Sequence, residues 1–159
     1  MAQQPTVSAP PQVRERAQAL NELTKVVDSA QEILARAQTV FPMDLFPDTV
    51  VVDRTQVVIV QRSFFFVGGT TSVRIEDILN VTANVGPFFG SLKISTRYFD
   101  PDKPYEVRRL WRHDALRLQA IIQGLVIAAQ KEIDTTVFDR RELVKGLTKV
   151  GQVSSQDGI

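Results

Sequence analysis

The sequence predicts an α+β domain: a strongly bent antiparallel sheet or barrel of six to seven strands, closed by a C-terminal helix and preceded by a long extra N-terminal helix. Three observations predict it. Apolar residues have helical spacing before residue 42, short β-branched and aromatic runs fill residues 42–111, and residues 112–134 are amphipathic. A bent antiparallel sheet leaves an open end, and a helix with one wide apolar face can cover it.

The composition is that of one globular domain with some chain left over for arms. The 159 residues are 43% hydrophobic and 23% charged with a formal net charge of +1, which excludes a disordered acidic or basic protein. There is no cysteine, so disulfides, thiolate catalysis and cysteine-bound metals are excluded. The single histidine, His113, excludes a multi-histidine metal centre. The sequence therefore predicts no cofactor and no metal.

The first 41 residues are predicted to form an arm followed by one long helix. Residues 1–11 are polar and contain three prolines, which is typical of a disordered arm. Residues 12–41 contain no proline or glycine, and their apolar residues recur at heptad-like intervals. The helix either packs on its own domain or pairs with another chain. In the second case its interface residues are Leu20, Leu23, Val27 and Leu34.

Residues 42–111 change to the short period of strands. Pro42 and Pro47 end the helix. Strands are predicted at 49–52, 57–67, 70–75, 81–85, 91–99 and 105–111, with turn residues between them. Because the connections resemble hairpins, we expect an antiparallel meander.

Two helices are predicted after the strands. The first covers residues 112–134 and has Asp114 as its N-cap, because a short carboxylate can accept from the free amides of the first turn. Gly124 in its middle indicates close packing against a flat neighbour such as a sheet. A short second helix is predicted at 139–150, ended by Gly151, within a C-terminal segment (135–159) whose last residues are expected to be disordered.

Three segments resemble the bacterial PH-like domains, of the pleckstrin-homology and GRAM type. Residues 52–59 (VDRTQVVI) are similar to the hairpin that opens these domains, 72–81 (SVRIEDILNV) to the segment after it, and 88–94 (FFGSLKI) to the following hairpin. The resemblance covers about residues 46–131 and implies a PH-like domain at 42–134. Phe88-Phe89 departs from the family, which often has Gly-Val or Leu-Gly there. The family has no common catalytic residues, so none is carried over to this chain.

A basic cluster is the best candidate for ligand binding. Residues 91–117 contain seven basic and four acidic side chains. Lys93 and Arg97 are predicted to share one face of a strand, and Arg108 and Arg112 a face of the next. Arginines on a sheet face suit the phosphates of lipid headgroups, although a solvated outer face fits the pattern as well. Arg54, Arg62 and Arg74, on neighbouring strands, are predicted to extend the cluster.

Phe88 and Phe89 lie at a Gly-Pro hairpin tip and form a second candidate site. They either contact a membrane or partner, or fold back over one end of the barrel; the second is favoured because exposed aromatics are costly. A third hypothesis makes His113 a general base, oriented by Asp114 or Glu106, but no nucleophile motif accompanies it.

The expected function is that of a non-enzymatic interaction module that mediates protein–protein contacts, with itself or with another protein. The alternative is peripheral binding of anionic lipid headgroups through the basic face and the Phe88-Phe89 tip. No nucleic acid is expected, because the net charge of +1 is too small. The N-terminal residues have neither a basic nor an apolar signal region, so the cytoplasm is expected.

Overall fold

The computed structural model describes residues 32–40, 45–62, 68–98 and 104–156. Seven strands in this part of the chain form two antiparallel sheets. The first sheet has the order β1 (Ala35–Gln38), β2 (Thr49–Val52), β3 (Gln56–Gln61) and β4 (Gly69–Arg74). The second has the order β5 (Ile78–Val85), β6 (Phe89–Thr96) and β7 (Tyr105–Trp111), and the helices α1 (Arg112–Gln130) and α2 (Arg140–Gln156) follow. The predicted α+β class is confirmed.

The prediction of a closed barrel is wrong for the described residues. A one-turn 3-10 helix, Ile75–Asp77, connects the two sheets on one side. On the other side, the described residues of the two sheets meet at an isolated bridge between Thr39 and Leu110, with the Val40 amide donating to the Arg109 carbonyl at 2.9 Å. β7 carries a bulge beside this bridge, with φ 59° at Arg109, and an irregular edge cannot extend the pairing into a ladder.

The end of the predicted N-terminal helix is a strand. Ala35–Gln38 pairs with β2, and its residues are alternately buried and exposed. Alanine, arginine and glutamine favour helix, but this preference is weak and the backbone pairing with β2 outweighs it. Leu34 precedes the strand and is 0% exposed, so it belongs to the core rather than to a helix interface. Leu20, Leu23 and Val27 lie outside the described residues.

The core lies between the two sheets and the inner face of α1. β-branched residues of β2 and β3 alternate inward, as does the run through β6. The largest side chains with almost no exposure are Leu34, Leu92, Ile94, Leu110, Leu118, Ile121, Ile122, Leu125, Val50, Val52, Val57 and Val107. None of the helices within the described ranges is long and apolar enough to cross a membrane.

The helix predicted at 139–150, observed as α2, is longer than predicted and packs tightly against α1. A Cβ built on Gly124 would lie 2.8 Å from the Cα of Leu147, and one built on Gly151 would lie 2.7 Å from the carbonyl carbon of Ala120. The flat neighbour expected for Gly124 is therefore α2 rather than a sheet. Gly151 does not end α2, because the close contact with α1 stabilises the helix beyond it. Residues 152–156, expected to be disordered, belong to α2.

Candidate functional site at the hairpin tip

The connection between β5 and β6 is fixed against the first turn of α1. The Gly86 amide donates to the Phe89 carbonyl at 2.7 Å, which closes the turn. The Arg112 amide donates to the Phe88 carbonyl at 2.9 Å, and the Arg112 Nη1 donates to the Gly86 carbonyl at 3.0 Å.

The prediction of Asp114 as the N-cap of α1 is wrong. Trp111 occupies the N-cap position without a side-chain hydrogen bond, and Asp114 lies inside the first turn.

Three aromatic residues, which we call the aromatic tip, lie at this end of the second sheet: Phe88, Phe89 and Trp111. Phe89 lies opposite Trp111 in the β6–β7 register, and their ring centroids are 5.4 Å apart. The Phe88 side chain remains 71% exposed and Trp111 45% exposed. The expectation that the aromatics fold back over a barrel end is wrong for Phe88. Its carbonyl is bound by Arg112 while its ring faces solvent.

Two of the basic candidates, Lys93 and Arg108, converge on one acidic side chain. Glu106 lies opposite Lys93 across the β6–β7 pair, and the Lys93 Nζ is 3.8 Å from its Oε1. The Arg108 Nη2 is 2.6 Å from Oε2. The hydrogen bond from Arg108 holds the pKa of Glu106 below its ordinary value, and partial burial opposes this shift. Glu106 is therefore a charged carboxylate that neutralises the middle of the predicted basic face.

The other basic candidates do not join this cluster. Arg97 is exposed and follows the last residue of β6, at the end of the sheet away from the aromatic tip. Arg112 begins α1 and binds the tip backbone, so it does not share a strand face with Arg108. Two residues of β7, 108 and 109, oppose the single residue Ser91 in the bulge, and this changes the alternation on which the sequence prediction depended.

Arg54, which was predicted to extend the basic cluster, has an internal role. Its side chain is 5% exposed and its Nη2 is 2.5 Å from the Glu32 Oε2. The same guanidinium donates to the carbonyls of Thr135 and Phe138, the second at 3.1 Å. Asp53 holds the turn that presents it by accepting from the amides of Thr55 and Gln56 at 2.7 and 2.8 Å. Arg54 is therefore unavailable to an external phosphate.

In the described structure, one side-chain contact supports the catalytic hypothesis for His113. Its Nε2 lies 3.2 Å from the Asp114 Oδ1, and its side chain is 76% exposed on the first turn of α1. An open groove beside β1 is lined by Trp111 and Asp114 but not by His113. In the ranges that the structure describes, no three His, Asp or Glu side chains are grouped closely enough to hold a metal ion.

Sequence reasoning missed Trp111 as part of the site. The signal that would have found it is the strand register. Phe89, the first residue of β6, pairs with Trp111, the last residue of β7, because the two strands are aligned at that end.

Comparison with protein-family models, with curated proteins and with solved structures found no match to this chain.

Proposed function

We propose that this chain is a non-enzymatic binding module of PH-like fold, and that it contacts another protein through the aromatic tip. The observation that carries the proposal is an exposed phenylalanine, Phe88, on a turn that three hydrogen bonds hold in place. The four-stranded and three-stranded antiparallel sheets followed by α1 agree with the resemblance in the sequence.

The tip has the chemistry of a protein-binding surface. Aromatic residues and arginine are enriched at the centres of protein interfaces, and Phe88, Trp111 and Arg112 lie together here. Burying one phenylalanine ring is worth roughly 1.5–3 kcal/mol. Because the turn is already held by hydrogen bonds, a partner need not order the backbone, so more of this free energy contributes to affinity.

The charges near the tip favour a protein over an anionic membrane. A basic side chain close to such a membrane contributes about 1 kcal/mol. Here Lys93 and Arg108 share the carboxylate of Glu106, so the three side chains together carry a net charge of +1 rather than +2. The proposal gives no catalytic role to His113, whose exposed ring contacts a carboxylate and no nucleophile in the described structure.

The experiment is site-specific photo-cross-linking in the cells that express the protein. A photoreactive phenylalanine analogue replaces Phe88 in one variant and Tyr98 in a matched control. Tyr98 is also an exposed aromatic, 78% exposed, but it lies just past the other end of β6. The two positions are ten residues apart, which corresponds to roughly 30 Å of strand, so the variants probe opposite ends of one sheet.

We expect a discrete protein adduct, identified by mass spectrometry, from position 88 and not from position 98. An adduct with a second copy of the chain would make the partner the protein itself, and light scattering over a concentration series would then give the oligomer size. A lipid adduct at position 88 would favour the membrane alternative. Equal adducts at both positions, or none at position 88, would overturn the proposal.

A further inference from the structure

Three of the four outer strands in the two described sheets have a neighbour on their outer side. β1 and β7 meet at the bridge between Thr39 and Leu110. β5 lies against α1, and the Gln119 Nε2 donates to the Val81 carbonyl at 3.4 Å. The remaining outer strand is β4, and in the described part of the chain only β3 packs extensively against it. The outer edge of β4 is therefore open in the described structure.

The hydrogen bonding of β4 shows which backbone groups lie at this open edge. The Ile75 amide donates to the Thr55 carbonyl at 2.9 Å, so residue 75 points its amide toward the β3 side. The direction of the backbone groups alternates along an antiparallel strand, and the register between β3 and β4 is continuous. The N–H and C=O groups of Thr70, Ser72 and Arg74 therefore point outward, away from β3.

β4 lacks the features that usually prevent strand pairing at an open edge. Natural proteins block such edges with proline, a bulge, charged side chains or a covering element. The sequence of β4 is GTTSVR, and its single charge, Arg74, lies at the last position, 3.5 Å from Asp77. Thr70, Ser72 and Arg74 are all exposed. Nothing in the sequence of β4 itself obstructs an added strand.

We propose that β4 pairs antiparallel with β4 of a second copy of this chain, across a two-fold axis at Ser72. In this register Ser72 lies opposite the same residue of the second copy, and Thr70 lies opposite Arg74, so no two like charges face each other. The three outward residues of each strand form hydrogen-bonded pairs, which gives about six backbone hydrogen bonds between the copies. Both open edges are used, so the assembly closes at a dimer.

The size of this interface predicts a weak and reversible dimer. Protein interfaces have about one hydrogen bond per 100–200 Å², so six bonds correspond to roughly 600–1,200 Å² of buried surface. Stable complexes bury about 1,200 Å² or more, and smaller interfaces are typical of transient association. The second copy is the occupant that satisfies the edge by symmetry, because one strand supplies both sides of the pairing.

Sedimentation equilibrium of the full chain over a concentration series tests the dimer. We expect a concentration-dependent dimer whose dissociation constant rises at least about fivefold in Ser72→Lys, because two lysines then face each other at the axis. The matched control is Thr82→Lys, which adds the same charge to an exposed residue of β5 and should leave the dissociation constant unchanged. A monomer at every concentration, or a dimer that Ser72→Lys does not weaken, would overturn the proposal.

Single cysteines test the register, since the chain contains none of its own. Residues that face each other in a hydrogen-bonded antiparallel pair have Cα atoms about 5.5 Å apart, a separation that a disulfide spans. We expect Ser72→Cys to form a disulfide dimer by itself, and Thr70→Cys to form one only when mixed with Arg74→Cys. Thr70→Cys alone is the control, because its two cysteines would lie four residues apart, roughly 13 Å along the strand.

Equal rates of disulfide formation in Ser72→Cys and in Thr70→Cys alone would show random collision and would overturn the two-fold register. The proposal concerns the open edge of the first sheet and not the aromatic tip. Its failure would therefore leave the proposed function unaffected, and the absence of an adduct at position 88 would leave this proposal unaffected.

Discussion

At the scale of single residues, the side chain with the most demanding surroundings is Arg54. It is almost fully buried, and it neutralises Glu32 while satisfying two carbonyls of the connection between α1 and α2. A buried charge is tolerated only when it is paired and hydrogen-bonded, and removing one partner leaves the others unsatisfied. Arg54 contacts Glu32 and Thr135, which are 22 and 81 positions away along the chain. No local sequence pattern predicts such distant contacts.

We predict that Arg54→Ala lowers the free energy of unfolding by about 3 kcal/mol, because it leaves Glu32 without its cation and two carbonyls without a donor. The measurement is chemical denaturation at pH 7. The matched control is Arg74→Ala, which removes an exposed arginine 3.5 Å from Asp77, and should change stability by less than about 1 kcal/mol. Equal effects of the two substitutions would contradict the internal role of Arg54.

Glu106 gives a prediction that depends on pH. Its folded-state pKa lies below the ordinary carboxyl value because Arg108 donates to the charged form. A depressed pKa contributes stability above the unfolded pKa, about 4.3, and this contribution is lost as the pH falls through the folded value. We predict that Arg108→Gln raises the pKa of Glu106, measured by NMR titration of its carboxyl carbon. Arg97→Gln is the control, since Arg97 lies outside this cluster; an unchanged pKa in Arg108→Gln would refute the assignment.

At the scale of elements, the strands from residue 49 onward and the two C-terminal helices were largely predictable, whereas residues 35–38 were not. β2 has its predicted bounds, because valine-rich runs between turn residues specify strands locally. The sequence 35–38 favours a helix by composition and becomes β1 only because β2 offers unpaired backbone groups. The length of α2 depends in the same way on its contact with α1. Where a segment's structure is decided by a neighbour, its own sequence contains only part of the information.

The packing of α1 against α2 predicts stability changes of opposite sign for alanine substitutions at two glycines. Gly124→Ala places a methyl group against the backbone of Leu147, and we expect it to destabilise the fold by about 1–3 kcal/mol despite a better helix propensity. Gly146→Ala, on the other helix, meets no neighbour within 4 Å. It should stabilise the protein by up to about 1 kcal/mol. Thermal unfolding of both variants gives the answer, and a destabilised Gly146→Ala together with an unaffected Gly124→Ala would contradict the observed packing.

At the scale of the whole molecule, the surface charge is balanced both in number and in position. Nineteen basic and eighteen acidic residues give +1, and the described basic face is interrupted by Glu106. The candidate site could be predicted in part: Phe88 and Phe89 were recognisable at a hairpin tip. Trp111 and the neutralising position of Glu106 depend on strand register and on the bulge in β7, which a sequence pattern does not specify.

We predict that the wild-type chain does not sediment with anionic vesicles at low salt, because its exposed arginines are partly neutralised. Glu106→Gln removes the carboxylate shared by Lys93 and Arg108 and should increase vesicle binding in a salt-sensitive manner. The matched control is Glu76→Gln, an exposed carboxylate in the turn between the sheets. Sedimentation of the wild-type protein that is lost in Phe88→Ser would instead support membrane binding through the tip.

The bonds of Arg54 also affect the order in which the molecule comes apart. They join the start of the described chain, the first hairpin and the connection between α1 and α2, with sequence separations of 22 and 81 residues. Such non-local contacts form only after long loops have closed, so they arise late in folding. Interactions that form after the transition state slow unfolding far more than they speed folding. We therefore expect Arg54→Ala to raise the unfolding rate far more than it lowers the folding rate.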